Sequence, residues 1–132
     1  MLTIRLLGGA SIHDPGEIGS GRAIQRNRMA LLALIALSRT RSMTRERAMA
    51  FLWPDNTTER ARQSLRECLY RLRETIGDGT ILTAGDEIRL DPARIDCDVW
   101  SFEAAVAQGE WRRADAVYTG PLLDGVFLAG GA

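Results

Sequence analysis

The sequence predicts a mixed α+β chain in which strands, three helices and a hairpin are followed by further helices. An apolar stripe with helical spacing between Asn56 and Ile76 predicts one long helix. The apolar runs Thr80–Thr83 and Ile88–Leu90 predict a hairpin directly after it. This order is that of a winged helix-turn-helix with N-terminal β-strands and a C-terminal hairpin wing. The helical patterns beyond residue 95 predict the first helices of an α-helical repeat domain.

The first part of the chain predicts two strands and a buried helix. Leu2–Leu6 alternates apolar and polar residues, Gly8-Gly9 is a turn signal, and Ala10–Ile12 fits a second short strand. His13–Gly21 is rich in Gly and predicts a loop or a short hairpin. Ile24–Leu37 predicts a helix, and because its second half is apolar on all sides, we expect it to be central and buried.

A second helix is predicted just before the long one. The range Thr44–Leu52 starts with a good N-cap residue, and we expect its Ala48, Phe51 and Leu52 to face inward. Trp53-Pro54 ends this helix, because proline cannot continue it.

The Asn56–Ile76 helix is the most informative element of the sequence. Asn56, Thr57 and Thr58 all suit an N-cap, Asn56 with Glu59 has the spacing of a capping box, and Gly77 is a natural stop. The residues predicted to face the core are Ala61, Leu65, Cys68, Leu69, Leu72 and Ile76. Those on the opposite, outer face are Gln63, Glu67, Tyr70 and Glu74. Arginines lie along both borders, namely Arg62, Arg66 and Arg73 on one side and Arg60 and Arg71 on the other.

A helix bordered by arginines suits the major groove of DNA, where phosphates flank the base edges on both sides. On its outer face, Gln63 suits adenine and Glu67 suits the amino group of cytosine. The alternative is a solvated helix whose arginines pair with Glu59, Glu67 and Glu74 three or four residues away. Taken alone, the helix slightly favours that alternative, because charged runs on helices are usually solvated faces.

Composition indicates one ordinary domain, or a small domain with part of another. The 132 residues are 45% hydrophobic and carry a formal net charge of zero. Residues 1–76 hold 13 arginines against 7 acids, whereas residues 77–132 hold 4 against 10. This uneven distribution suggests two units with different partners. Every basic residue is arginine, which suits phosphate and guanine contacts but is explained better by a GC-rich genome.

Several classes of function are disfavoured by the sequence. Two cysteines without metal spacing and a single histidine, His13, support neither a zinc site nor a histidine-based catalytic triad. The glycines at Gly8-Gly9 and Gly19–Gly21 are too sparse for a phosphate loop. The longest apolar run, Met29–Leu37, is too short to span a bilayer, which needs roughly 20 residues. We therefore expect a cytoplasmic protein that is not an enzyme and has no cofactor, metal or membrane partner, with Cys68 a buried thiol in a reducing compartment.

The last part of the chain predicts a pair of helices. Residues 96–107 (DCDVWSFEAAVA) predict a helix capped by Asp98, and Glu110–Val117 predicts a second helix that ends at Tyr118–Gly125. The predicted apolar side of the first consists of Val99, Trp100, Phe102, Ala105 and Val106. Helical arrays usually need about three repeats for stability. We therefore expect the chain to be the front of a longer protein.

Three blocks together resemble the N-terminal part of the SARP-type transcriptional activators, the bacterial antibiotic-pathway regulators. The first is LLGG followed by the Arg-flanked RMALLALIAL. The second, TRERAMAFLWPD with ARQSLRECLYRLRETIG, is similar to the OmpR-type DNA-binding domain. The third, IDCDVWSFEAAV with YTGPLLDGVF, is similar to the opening of the TPR-like bacterial transcriptional activator domain. The resemblance covers nearly the whole chain and implies a DNA-binding domain at 1–95 and the start of the helical domain at 96–132.

The resemblance implies that the Asn56–Ile76 helix is a recognition helix. The positions that match its groove-facing stretch are Gln63, Ser64, Arg66, Glu67 and Tyr70. The residues expected to contact the DNA backbone are Thr44, Arg45, Arg60, Arg71, Arg73 and Arg89. The family's wing usually carries an arginine and a Gly-aromatic pair at its tip, where this chain has Ala84, Glu87 and Ile88. This departure weakens the expectation that the wing enters the minor groove.

The implied partners are double-stranded promoter DNA, often as direct repeats bound by side-by-side subunits, and RNA polymerase. A DNA-dependent dimer follows from the same resemblance. The alternative is a winged helix that serves as a protein-interaction module in a larger signalling protein. Zero net charge, the acids on the outer side of the helix and the weak wing favour that alternative.

Overall fold

The computed structural model describes residues 2–13 and 26–124, which fall into two compact units. One unit contains residues 26–94, and the other contains residues 2–13 together with 95–124. The described residues form five helices and two three-stranded sheets, so the mixed α+β class is confirmed.

Three helices form the core of the 26–94 unit. They are α1 (Arg26–Leu37), α2 (Arg45–Leu52) and α3 (Thr58–Ile76), and each packs against the other two. Seven of the twelve residues of α1 are buried, as expected for a helix that is apolar on all sides. Its fully buried members are Leu31, Leu32 and Ile35.

A small antiparallel sheet completes this unit. Its strands are β3 (Ser42–Thr44), β4 (Ile81–Ala84) and β5 (Glu87–Leu90), in the order β3-β5-β4. The β4–β5 hairpin was predicted, whereas β3 was missed because three residues are too few to show an alternating pattern. In β5 the alternation holds: Ile88 and Leu90 are buried and their neighbours are exposed.

The second unit contains a sheet that pairs the two N-terminal strands with a strand beginning at residue 95. Its strands are β1 (Leu2–Arg5), β2 (Ser11–His13) and β6 (Ile95–Cys97), in the order β2-β1-β6. Strand β1 is antiparallel to β2 but parallel to β6, with Leu2 opposite Ile95. The chain passes from one compact unit to the other between residues 94 and 95, one residue before the predicted domain boundary, and the N-terminal strands belong to the unit that contains β6. Apart from His13, the predicted loop at 13–21 lies outside the described residues.

Two helices follow β6. Helix α4 (Asp98–Ala107) packs on β1 and β6, and α5 (Trp111–Val117) packs on α4. The expectation that Asp98 caps α4 is wrong, because it is the first helical residue and Cys97 is the N-cap, with no side-chain cap bond. The Asp98 carboxylate instead accepts hydrogen bonds from the backbone N–H groups of Leu6 (2.9 Å) and Leu7 (3.0 Å).

The segment after α5 closes on the turn that follows β1. The N–H of Gly8 donates to the carbonyl of Pro121 at 2.8 Å, and the Thr119 hydroxyl donates to the carbonyl of Leu7 at 2.7 Å. The backbones approach so closely that a Cβ on Gly120 would lie 2.8 Å from the Cα of Gly8. Glycine is therefore required for this contact at residue 120.

Two residues that were expected to face inward are exposed. Phe51 on α2 is 52% exposed, and Val106 on α4 is 38% exposed. On α2 the buried pair is Ala48 and Met49. The eight-residue helix is too short for its spacing alone to fix which side faces the core.

Candidate nucleic-acid interface

The two faces of α3 are those that the sequence predicted. All six residues of the apolar stripe are buried, from Ala61 to Ile76. Gln63, Glu67, Tyr70 and Glu74 on the opposite side are exposed, and Tyr70 has 60% of its surface accessible. Ser64 is half-buried at the margin of this outer face.

Helix α3 begins at Thr58, two residues after the predicted start, and its cap is one of the three residues that suit an N-cap in the sequence. The N-cap is Thr57, whose hydroxyl accepts a hydrogen bond from the N–H of Arg60 at 3.3 Å. The predicted capping box between Asn56 and Glu59 is therefore wrong, because a box with Thr57 as the cap would need a Glu or Gln at position 60. Glu59 still lies in the first turn, where a negative charge favours the helix dipole.

Three arginines of α3 are exposed and have no ion pair with a described residue. These are Arg60, Arg62 and Arg66. They lie in the first half of the helix, whereas Glu67 and Glu74 on the outer face pair with Arg71 in the second half. The alternative of a solvated helix, in which neighbouring acids pair with the arginines, therefore does not hold for the first half of α3.

In the second half of α3, an arginine does pair with neighbouring acids, as in the alternative of a solvated helix. The Arg71 guanidinium lies 3.2 Å from a carboxylate oxygen of Glu74 and 3.8 Å from one of Glu67. It also lies over the ring of Tyr70, 5.8 Å from the ring centroid. Arg71 would have to leave these partners before it could bind a phosphate, and Glu67 is engaged in the same way.

Arg73 points toward the hairpin. One of its guanidinium nitrogens, Nη2, donates to the carbonyl of Ile81 at 3.4 Å and to the Thr83 hydroxyl at 3.5 Å. These contacts tie the end of α3 to β4. The predicted role of Arg73 as a backbone contact to DNA therefore competes with a structural role.

The remaining predicted contact residues lie on α2 and the hairpin. Thr44 is the N-cap of α2, as predicted, and its hydroxyl accepts from the N–H of Arg47 at 3.2 Å. Arg45 is half-buried at the first position of α2, and its N–H donates to the carbonyl of Asp86 at 2.7 Å. Arg89 is exposed on β5 and faces no acid in an ion pair among the described residues.

A groove brings Arg45 together with Arg62 and Arg66. It has a volume of about 210 Å³ and lies between the start of α2, the first half of α3 and the hairpin turn. Its other lining residues are Glu46, Met49, Thr58, Leu65 and Asp86. The sequence placed Arg62 on an arginine border that suits a phosphate wall, one turn before Arg66, but the family resemblance did not give it as a contact residue.

The hairpin turn carries negative charge. Gly85 has a left-handed φ of +58°, and together with Asp86 it forms a two-residue turn between β4 and β5. Asp86 and Glu87 are both exposed, so an acidic tip faces solvent next to the arginines of the groove. An acidic tip disfavours entry of the hairpin into the minor groove, as the sequence also indicated.

Three titratable side chains among the described residues have shifted pKa values. Burial raises the pKa of the Cys68 thiol to about 11 and that of the Cys97 thiol to about 12. Burial, with a smaller contribution from the Arg5 charge, lowers the pKa of His13, whose Nε2 lies 2.9 Å from the Ser11 hydroxyl. Across residues 2–13 and 26–124, no cluster of three His, Cys, Asp or Glu side chains could hold a metal ion. Within the same two stretches, no helix is both long and apolar enough to cross a bilayer.

Comparison with known proteins identifies the fold. No protein-family model and no curated protein matches the sequence. A solved structure of Mycobacterium tuberculosis EmbR in complex with a low affinity phosphopeptide is similar over 95% of this chain, with a TM-score of 0.72 and 22% sequence identity. The similar region spans 38% of that EmbR chain. This chain therefore shares the mixed α+β fold of one part of EmbR.

Proposed function

We propose that this chain is a sequence-specific, double-stranded DNA-binding regulator of transcription, of the SARP type and acting as an activator. The unit at 26–94 is a winged helix in which α3 lies in the major groove and the β4–β5 hairpin is the wing. Residues 1–95 form the DNA-binding domain, and 96–132 begin a TPR-like activator domain. The resemblance of three sequence blocks supports this, as does a fold shared with EmbR, a SARP-family regulator.

One observation carries the proposal: the first half of α3 presents exposed, uncompensated arginines beside an accessible polar face. Arg60, Arg62 and Arg66 keep their charge free for phosphates or guanine edges, and Gln63 lies among them. Arginines that already pair with acids within the protein are less available to bind phosphates. Here only Arg71 is neutralised within the helix.

The proposal assigns a role to each of these residues. Gln63, Ser64, Arg66, Glu67 and Tyr70 face the bases. Arg45, Arg60, Arg62 and Arg89 contact phosphates, with Thr44 beside them at the start of α2. Arg71 and Arg73 contribute less than the sequence suggests, because each already has partners within the protein.

The salt dependence of binding tests the proposal. If the protein contacts four to six phosphates, the logarithm of the association constant should fall against the logarithm of salt concentration with a slope of roughly −4 to −5. The measurement is fluorescence anisotropy with labelled duplexes from the region upstream of its own operon, including direct repeats. A flat slope, or no preference over an unrelated duplex, would contradict the proposal.

A matched pair of substitutions refines it. Arg66→Ala should lower discrimination at one base pair by about 1–3 kcal/mol if Arg66 reads a base. If it lowers only non-specific affinity, Arg66 binds a phosphate. The control is Arg94→Ala, which removes an exposed arginine from the same compact unit but outside the groove. An equal loss in both variants would point to a general charge effect.

Partners beyond the operator belong to the same proposal. The chain acts in the cytoplasm, pairs with a second copy on direct repeats and recruits RNA polymerase. Analytical ultracentrifugation with and without a two-repeat duplex tests the DNA-dependent dimer. A dimer of equal stability in both conditions would contradict it.

A second candidate function is a winged helix that binds another protein instead of DNA. Two observations favour it: the acidic hairpin tip at Asp86 and Glu87, and the ion pairs that neutralise Arg71. It predicts a flat salt slope and no change in duplex affinity when Arg66 is replaced.

A further inference from the structure

A second groove in the 26–94 unit has features of a protein-docking site. It has a volume of about 590 Å³ and lies between the end of α1, the strand β3 and one side of α2. This is within the range of known ligand sites, roughly 300–1,000 Å³. Its lining residues are Leu34, Leu37, Ser38, Arg39, Thr40, Ser42, Met43, Thr44, Arg47, Phe51 and Glu87.

The groove exposes large apolar side chains. Phe51 on α2 is 52% exposed and Leu37 at the end of α1 is 37% exposed, while Leu34 and Met43 lie deeper in the groove wall. Phe51 is one of the two residues that were expected to face inward and are exposed. Its exposure leaves an aromatic ring in contact with water, and aromatic side chains of this kind are frequent anchors of protein interfaces.

The charges of the groove specify what could occupy it. Arg39 and Arg47 are exposed, line the groove and form no ion pair with a described residue. Glu87 is the single acid among the lining residues. A complementary occupant therefore combines apolar side chains with carboxylates.

We infer that this groove binds an acidic amphipathic segment of a partner protein. Apolar side chains of the segment cover Phe51 and Leu37, and its carboxylates pair with Arg39 and Arg47. Such a segment fits the known mode in which an amphipathic helix lays its apolar face into a groove. The inference does not depend on DNA binding.

The groove and the proposed DNA face use opposite sides of α2. At 100° per residue, Arg45, Glu46 and Met49 fall on the side that lines the smaller groove next to α3. Arg47 and Phe51 fall on the other side. No residue of α3 lines the larger groove, and of the residues proposed to contact DNA only Thr44 lines it.

Peptide titration of the whole chain tests this inference. The probe is an amphipathic helical peptide of about 15 residues with Leu and Phe on one face and Glu on the other, which spans roughly 22 Å. We expect saturable shifts in NMR spectra at Leu34, Leu37 and Phe51. The same peptide with Lys in place of Glu should bind at least about tenfold more weakly, because Arg39 and Arg47 would then repel it.

Two variants and a control locate the site. Phe51→Ser and Arg47→Glu each change an exposed residue and should weaken binding of the acidic peptide at least about tenfold. Leu82→Ser is the matched control, because Leu82 is 37% exposed in the same unit but does not line the groove. It should leave peptide binding unchanged.

Four outcomes would overturn the inference. The first is no saturable binding up to about 1 mM, where weak complexes are still measurable. The second is equal binding of the acidic and basic peptides. The third is self-association that Phe51→Ser abolishes, which would make a second copy the occupant. The fourth is loss of duplex affinity in both groove variants, which would make the groove a DNA contact. Failure of DNA binding in the wild-type chain would leave this inference standing.

Discussion

Removing the Asp98 carboxylate should destabilise the unit that contains β1 and α4. Its Oδ1 accepts a hydrogen bond from Leu6 N–H at 2.9 Å and its Oδ2 accepts one from Leu7 N–H at 3.0 Å, while Oδ1 also accepts one from the Cys97 thiol at 3.8 Å. Leu6 and Leu7 are buried, so water cannot readily replace the lost acceptor. An unsatisfied buried donor costs about 1–3 kcal/mol, and two backbone donors lose their partner in Asp98→Ala. We expect a loss of about 3 kcal/mol, with a smaller loss of about 2 kcal/mol in Asp98→Asn, which keeps one acceptor oxygen.

Native-state amide exchange is the assay, because it reports on each unit separately. Protection of the Leu6 and Leu7 amides should fall about a hundredfold in Asp98→Ala, which corresponds to roughly 3 kcal/mol. Protection in α1 and α3 should not change. The control is Asp115→Ala, which removes an exposed carboxylate on α5 that accepts no hydrogen bond from a described residue. A loss below about 0.5 kcal/mol in Asp98→Ala would refute the reasoning, since it would mean that the carboxylate does not hold these amides.

Three further predictions concern local features of the fold. Thr57→Ala should cost about 1 kcal/mol in urea unfolding because it removes the α3 cap, whereas Asn56→Ala should cost close to nothing; the reverse order would restore the capping box. Gly120→Ala should cost about 1–3 kcal/mol because its Cβ would lie 2.8 Å from the Gly8 Cα, and an unchanged melting temperature would show that this contact is loose. With pKa values raised to about 11 and about 12, the Cys68 and Cys97 thiols stay neutral in the folded protein at pH 8 and should react with a thiol reagent only on unfolding. Because unfolded thiols ionise near pH 8.5, the free energy of unfolding should fall as pH rises above that value. Rapid labelling of the folded chain at pH 8 would show that the thiols are accessible and would contradict this prediction.

The sequence by itself determined the long helix and its two faces. The repeat of Leu65, Leu69, Leu72 and Ile76 fixes one buried stripe, because a helix of nineteen residues samples its period several times. The same period fixed the outer position of Gln63, Glu67 and Tyr70. The sequence also predicted the burial of α1 and the β4–β5 hairpin, since both depend on residues that are neighbours along the chain.

The sequence did not predict the short elements or the partners of individual side chains. Strand β3 has three residues, and α2 has eight, so neither period nor alternation could show that Phe51 faces water. Arginines that look alike on a helical wheel also differ in the structure. Arg66 has no ion pair among the described residues, Arg71 is paired with two acids, and Arg73 is bonded to the hairpin.

Only the tertiary structure decided how distant segments meet. Strand β1 pairs with β6 more than ninety positions later, and the LLGG turn is closed by the YTGPLL segment through Gly8 and Pro121. The LLGG turn and the IDCDVWSFEAAV segment are therefore parts of one compact unit, whereas RMALLALIAL belongs to the other. The Asp98 carboxylate accepts hydrogen bonds from Leu6 and Leu7 instead of capping its own helix. Such pairings depend on which buried donors and apolar faces remain unsatisfied after local structure forms, and no local period in the sequence records that choice.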